Sequence, residues 1–171
     1  MLQTSKLFTW LQFAVFPVFY VTMQYAYFQI PDETFKVIYH DGIGLFCAAL
    51  INFFAPLERV IASKNIQISS AANLEIVRGC DGAGALFLIA SAILAYPVKL
   101  KRKFIGLCLG VSMMYLINLL RICVLYFVIA HRPEWFIFIH VYLLPSLMVI
   151  LGSIFFMWWA FGLTNRVHEP A

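Results

Sequence analysis

Long apolar runs separated by short polar breaks dominate this chain. The first run extends from Leu7 to about Ile30, long enough to cross a bilayer, with Pro17 as a predicted kink. The polar stretch Pro31 to Lys36 ends it. The second run, Gly42 to Leu57, has only 16 residues and follows His40 and Asp41, so it reads as a marginal span or a partly embedded helix. From Asn65 to Val77 the period changes to two. Apolar residues alternate at Ile66 and Ile68, then at Leu74 and Ile76, around a Ser69 to Asn73 turn, which predicts a small exposed β-hairpin. Three further runs follow: Gly82 to Val98, Phe104 to Ala130, and Trp135 to Leu163. The expected fold is all-α, a polytopic transmembrane bundle of four or five helices carrying a small extracytoplasmic hairpin.

Composition sharpens that picture. With 63% hydrophobic and 12% charged residues and a mean hydropathy of +0.89, the chain does not read as a soluble domain with a hydrated surface. Its 171 residues are expected to form one integral membrane domain. The net charge of +4 does not point to nucleic acid, because Lys99, Lys101, Arg102 and Lys103 form one juxtamembrane cluster. The N-terminal run lacks a short apolar core followed by a small-residue cleavage site, so it is read as a retained helix.

The basic cluster orients the C-terminal half. Placed on the cytoplasmic side, it puts the hairpin, Cys80 and His131 outside and Arg166 inside. Upstream, two spans would put the N-terminus outside, whereas Lys6 favours the inside with the second segment dipping into the bilayer. The dipping arrangement is preferred.

Arg121 is the most informative residue. It is the one charge in the run from Phe104 to Ala130, and a membrane segment retains such a charge where it has a partner or a task. It lies ten residues from the outer end of its run, about 15 Å deep, and its long side chain can snorkel outward. Asn118, one turn earlier, shares its face and can orient it. His140 is five residues into the last run, about 7.5 Å below the same surface. Pro145 cannot donate to the carbonyl of Val141, which predicts a kink able to widen a pocket there.

Cys80 completes the set. It precedes the expected first turn of a helix, Gly82 and Gly84 permit close backbone approach, and Asp81 can cap that turn. A cationic neighbour or a helix N-terminus favours a thiolate there. A thiolate attacking an amide needs a fixed charge for the oxyanion and an acid for the leaving amine, roles that suit Arg121 and His140. Each residue has a plainer reading: a cysteine as a small hydrophobe, an arginine binding helices together, an interfacial histidine satisfying a carbonyl. Cys47, Cys108 and Cys123 keep that plainer reading. So do His131 as a solvated histidine, His40 and Asp41 as a helix boundary, and Tyr115 as packing. Gly106 and Gly110 signal close helix packing. The four cysteines and four histidines show no metal-ligand spacing, no nucleotide loop is present, and no cofactor is expected.

Gly79, Cys80, Asp81 and Gly82 before an alanine-rich segment, then Asn118, Leu119, Leu120, Arg121 and Ile122, then His140 after a short loop, together resemble the exosortase and archaeosortase family. The likeness spans about residues 66 to 161 and is strongest to the short exosortases of the H kind. It implies a membrane-embedded cysteine transpeptidase, with Cys80 as nucleophile, Arg121 as transition-state stabiliser and His140 as acid or base. Asp81 departs from the Ser, Thr or Asn that the family commonly carries there. Its charge opposes a thiolate unless it caps the helix or pairs with Arg78 or Arg121. The N-terminal half, to about Pro56, matches by hydrophobicity alone.

The same resemblance implies the partners: secreted proteins whose C-terminal tail joins a recognition motif, a transmembrane helix and a basic end, cleaved at the outer face of the cell membrane. Two other classes stay open. One is a non-catalytic membrane scaffold in which Arg121 pairs with a partner's acidic residue. The other is an outer-face redox protein in which Cys80 forms a disulfide, with Cys47 as the plausible mate.

Overall fold

The computed structural model describes the backbone of residues 2–64, 66–70, 72–79 and 81–162, and side chains from residue 14 onward. Among the described residues are five helical stretches and three short strands. Helix α1 is Leu2–Phe28, which continues through Pro17. Helix α2 runs continuously over Asp32–Phe54. Strands β1 (Ile61–Ser63), β2 (Ile66–Ile68) and β3 (Asn73–Glu75) follow, then α3 (Ala83–Ala95), α4 (Leu100–His131) and α5 (Pro133–Gly162). Helices α2, α4 and α5 are long and apolar enough to cross a membrane, with α4 reaching 32 residues. That is about 48 Å of helix against a hydrocarbon core of about 30 Å.

Several boundaries differ from the sequence expectation. The first helix does end ahead of the polar stretch, at Phe28, but the break is short, and residues 32–36 are already helical. Pro31 is extended (φ −59°, ψ 146°) and starts α2, while Asp32 and Glu33 occupy the first turn, where the helix dipole favours negative charge. The second segment is therefore 23 residues of helix, not 16. Likewise Leu100 to Lys103 belong to the first turn of α4, not to a loop before it.

The strands form an antiparallel sheet in the order β1-β2-β3, with Gln67 opposite both Ala62 and Leu74. The hairpin of β2 and β3 matches the alternation, and Ser69 closes its turn by bonding to both backbone groups of Ala72. β1 was not foreseen, being three residues between Arg59 and Lys64 with no alternation to betray it. The inward face of β2 differs, with Gln67 buried and Ile68 exposed, whereas Leu74 and Ile76 are both buried in keeping with the alternation. The fully buried Gln67 donates to the carbonyl of Gly44, 3.1 Å away, which outweighs the apolar alternation on β2.

The chain divides into two compact units. The first holds Met1–Gln29, Ala83–Met114 and Val149–Ala171. In it α1 packs on α3 through an edge-to-face pair of Tyr27 and Phe87, 5.6 Å between ring centres, and through Met23 against the buried Ser91. Gly106 and Gly110 make room for aromatic side chains of α5: a β-carbon at 106 would lie 2.5 Å from the Trp159 indole, and one at 110 would lie 3.0 Å from Phe155. The basic cluster has a structural task as well. Arg102 donates to the carbonyls of Trp159 (2.8 Å) and Ala160 (3.0 Å), and Lys103 donates to Leu94. Both cations thus satisfy carbonyls near helix C-termini, where the dipole attracts positive charge.

The second unit holds Ile30–Gly82 and Tyr115–Met148. Within α2, residues His40–Gly44 form a widened π-helical turn. Its carbonyls are taken up from outside the helix: Tyr115 donates to Gly42 and Gln67 to Gly44. Asn52 binds both backbone groups of Val60 at 2.8 Å, tying the end of α2 to the approach of β1.

Candidate active site

All the described candidate residues, Asp81, Gly82, Asn118, Arg121 and His140, belong to the second unit. Around position 80 the backbone bends sharply: Gly79 and Gly82 have φ of 86° and 85°, the left-handed region that favours glycine. Cys80 itself lies outside the described residues. Asp81 is 1% exposed, and its carboxylate accepts a hydrogen bond from the Tyr39 hydroxyl of α2. Asp81 therefore has a phenol donor. Arg78 forms an ion pair with Asp32 at 3.0 Å and lies over the Phe35 ring at 4.6 Å.

Gly82 touches α4. A β-carbon there would stand 2.2 Å from Oδ1 of Asn118, so the asparagine amide rests directly on the glycine backbone. Asn118 and Arg121 are both buried on one face of α4, one turn apart, as their spacing predicts. The Arg121 guanidinium is 7% exposed and approaches the Met148 sulfur of α5 at 4.0 Å.

His140 sits in a π-helical turn, Phe138–Leu143, which ends just before Pro145. The missing proline N–H and the ring's crowding of the carbonyl at Val141 give a physical reason for the widening. The imidazole stacks on Phe136, with ring centres 5.1 Å apart and planes within 8°. It is half-buried. Its Nδ1 is shielded and has no hydrogen-bond partner among the described residues. His140 also lines a cavity of about 240 Å³ whose other walls are Leu74 to Val77, Ile122, Leu125 and Phe136.

The structure therefore groups Gly82 with Asn118 and sets Arg121 one helical turn from Asn118. Tyr39 is the residue that sequence reasoning missed. It came from a half of the chain that carried no assignment, yet Phe35 and Tyr39 are one turn apart, both buried, with rings 4.3 Å between centres. That aromatic pair at i and i+4 was the available signal for an inward face.

His131 belongs to a different group. Its Nε2 is 3.9 Å from Glu58, and the Glu58 carboxylate accepts from the buried Tyr126 hydroxyl at 2.9 Å. That hydroxyl is in turn 2.5 Å from Ser69. This cluster joins α4 to the sheet. Cys47 and Cys123 are buried free thiols, and the Cys47 thiol donates to the carbonyl of Leu119 at 3.8 Å. Among the described residues, no group of three or more His, Cys, Asp or Glu is placed to hold a metal ion.

Comparison with known protein families, characterised proteins and solved structures finds no match to this chain.

Proposed function

We propose that this chain is a membrane-embedded cysteine transpeptidase of the exosortase and archaeosortase kind, acting on secreted proteins that carry a C-terminal sorting tail. The observation that supports it best is the buried Arg121 on one face with Asn118, whose amide rests on Gly82, two residues beyond Cys80. A membrane helix keeps a buried cation at considerable cost, and an oxyanion is a task that repays it.

In this reading the Cys80 thiolate attacks the carbonyl carbon of the scissile amide. Arg121 stabilises the oxyanion of the tetrahedral intermediate. As the C–N bond breaks, His140 delivers a proton to the departing amine, leaving a thioester on Cys80. An acceptor amine then attacks the thioester, His140 takes its proton, and the cysteine is released. Water in place of the amine gives hydrolysis. The Tyr39 hydroxyl on Asp81 supplies a partner for the negative charge adjacent in sequence to the nucleophile.

The same reading places the enzyme in the inner membrane. Helices α1 and α3 join α2, α4 and α5 as membrane elements, giving four or five spans, with the basic residues from Lys99 to Lys103 inside and the sheet outside. The substrate's own transmembrane helix then lies beside the bundle with its scissile bond at the outer face.

The test is processing of a tail-bearing secreted protein in cells, with variant levels in the membrane checked. Cys80→Ala, Arg121→Ala and His140→Ala accumulate uncut substrate, and His131→Ala processes it as wild type does. Normal processing by Cys80→Ala at normal protein level overturns the proposal.

A further inference from the structure

Asn118 keeps a polar group unused inside the protein. Its side chain is buried, at 6% exposure, and Oδ1 is shielded and has no hydrogen-bond partner among the described residues. Buried amide oxygens are nearly always bonded, so an exception needs a reason. The tether to Arg121 expected from the sequence is not that reason. A guanidinium only donates, and Oδ1 is the one side-chain acceptor of an asparagine, so Arg121 makes no hydrogen bond to it. Nor is packing the reason, since a leucine fills a similar space, suits a helix better and buries no polar group.

The place of the carboxamide suggests its use. It lies against Gly82: a β-carbon there would stand 2.2 Å from Oδ1, 2.6 Å from Cγ and 3.2 Å from Nδ2. The amide thus occupies the space of a side chain at 82, with its nitrogen the end turned further from the glycine. Gly82 is two residues along from Cys80, and covalent geometry alone keeps the two Cα atoms within about 7 Å. Arg121 follows one turn later on the same buried face of α4. A neutral N–H donor and a cation are carried side by side close to the proposed nucleophile.

We propose that Asn118 is a further catalytic residue, the second donor to the oxyanion. The inference rests on the transpeptidase reading for the reaction itself. As the Cys80 sulfur–carbon bond forms, the π pair of the scissile carbonyl moves onto its oxygen, and Nδ2–H of Asn118 donates to that oxygen beside the Arg121 guanidinium. Neither residue gives up a proton. When the C–N bond breaks and the carbonyl reforms as the thioester, the charge leaves and the hydrogen bond weakens with it. Donors held rigidly in a shielded site act more strongly than in water, because nothing has to reorient as the charge appears. Gly82 belongs to the same device, since any side chain there would displace the carboxamide.

Asn118→Leu tests this, because it keeps the bulk of the side chain and deletes the amide. Three properties are measured: melting in detergent, alkylation of Cys80 by iodoacetamide followed by mass mapping of its peptide, and processing of a tagged tail-bearing secreted protein in cells. Alkylation is a displacement in which sulfur replaces iodide on carbon and no oxyanion forms, so it reports the thiol without the proposed hydrogen bond. The expected result is melting no lower than wild type, alkylation at the wild-type rate, and processing slowed about 10²–10³-fold, the effect of losing one oxyanion donor. Asn118→Ala, which only shortens the side chain, is read in the same way and serves if the Leu variant does not reach the membrane. Processing near the wild-type rate shows the amide to be packing, and alkylation that falls as far as processing shows that it places the cysteine; either overturns the proposal. Normal processing by the Asn118 variants, with Cys80→Ala and Arg121→Leu inactive, leaves the reaction standing without this donor. Normal processing by Cys80→Ala removes the reaction and this inference with it.

Discussion

Asn118 rests its side-chain amide on the backbone of Gly82, so closely that a β-carbon at 82 would come within 2.2 Å of Oδ1. The contact joins a left-handed glycine at φ 85° to the helical face that carries Arg121. Gly82→Ala incurs both the left-handed backbone cost, about 1–2 kcal/mol, and displacement of Asn118. Thermal unfolding in detergent is expected to show a loss of about 2 kcal/mol or more. Asn118→Ala in the same chain recovers part of that loss, because the clash is removed and the strain is not. Strict additivity of the two changes would argue against the contact.

Arg121 separates stability from chemistry. Replacement by Leu removes a buried cation together with its desolvation cost, so the variant is expected to reach the membrane folded. Processing is expected to fall about 10²–10³-fold, the size of effect seen when an oxyanion donor is lost. Arg121→Lys falls similarly, since an ammonium lacks the planar fork. A Leu variant that processes normally would remove Arg121 from the reaction.

The two histidines should respond oppositely. His131 is mostly exposed and 3.9 Å from Glu58, an ion pair worth about 0–1 kcal/mol, so His131→Ala leaves melting and processing near wild type. His140→Ala stops processing. A reversal of this order in the same cellular assay would move the acid and base role to the loop.

Tyr126 is the buried link between Glu58 and Ser69. Tyr126→Phe keeps the ring and deletes the hydroxyl, leaving the sheet less firmly held to α4. The expected loss is about 1–3 kcal/mol, with faster limited proteolysis near Glu58. An unchanged digestion pattern would show that the ring alone secures the sheet.

Gly106 receives the Trp159 indole, and Arg102 satisfies the carbonyls of Trp159 and Ala160. Gly106→Ala overpacks this contact and is expected to cost about 1–3 kcal/mol in detergent melting. Arg102→Ala should destabilise too, even in detergent where no membrane potential acts. Its effect would vanish if the arginine served orientation alone.

Much of the candidate site was legible as residue types. Arg121 declared itself as a lone charge in an apolar run, Asn118 by its helical spacing from it, and His140 by its depth and by Pro145 ahead of it. The partner of Asp81 was not legible. Tyr39 is 42 positions away and reads as one more aromatic in an apolar half. The inward turn of Gln67 was hidden for a related reason: alternation says which residues share a face, but the carbonyl of Gly44 decides which face is buried.

By itself the sequence determined that the chain is built from apolar helices with a small β element, because hydropathy and side-chain period are properties of neighbours along the chain. It also marked Arg121 as a lone charge in an apolar run and Asn118 as sharing its helical face, since both follow from composition and spacing along one segment. Only the tertiary structure decided that a third strand joins the hairpin, that Gln67 turns inward, and that Gly82 meets Asn118 while Tyr39 meets Asp81. Those outcomes depend on which carbonyls and carboxylates are left needing a donor once the elements pack. Such a need is met by whatever side chain arrives in space, at a sequence distance that no local pattern records.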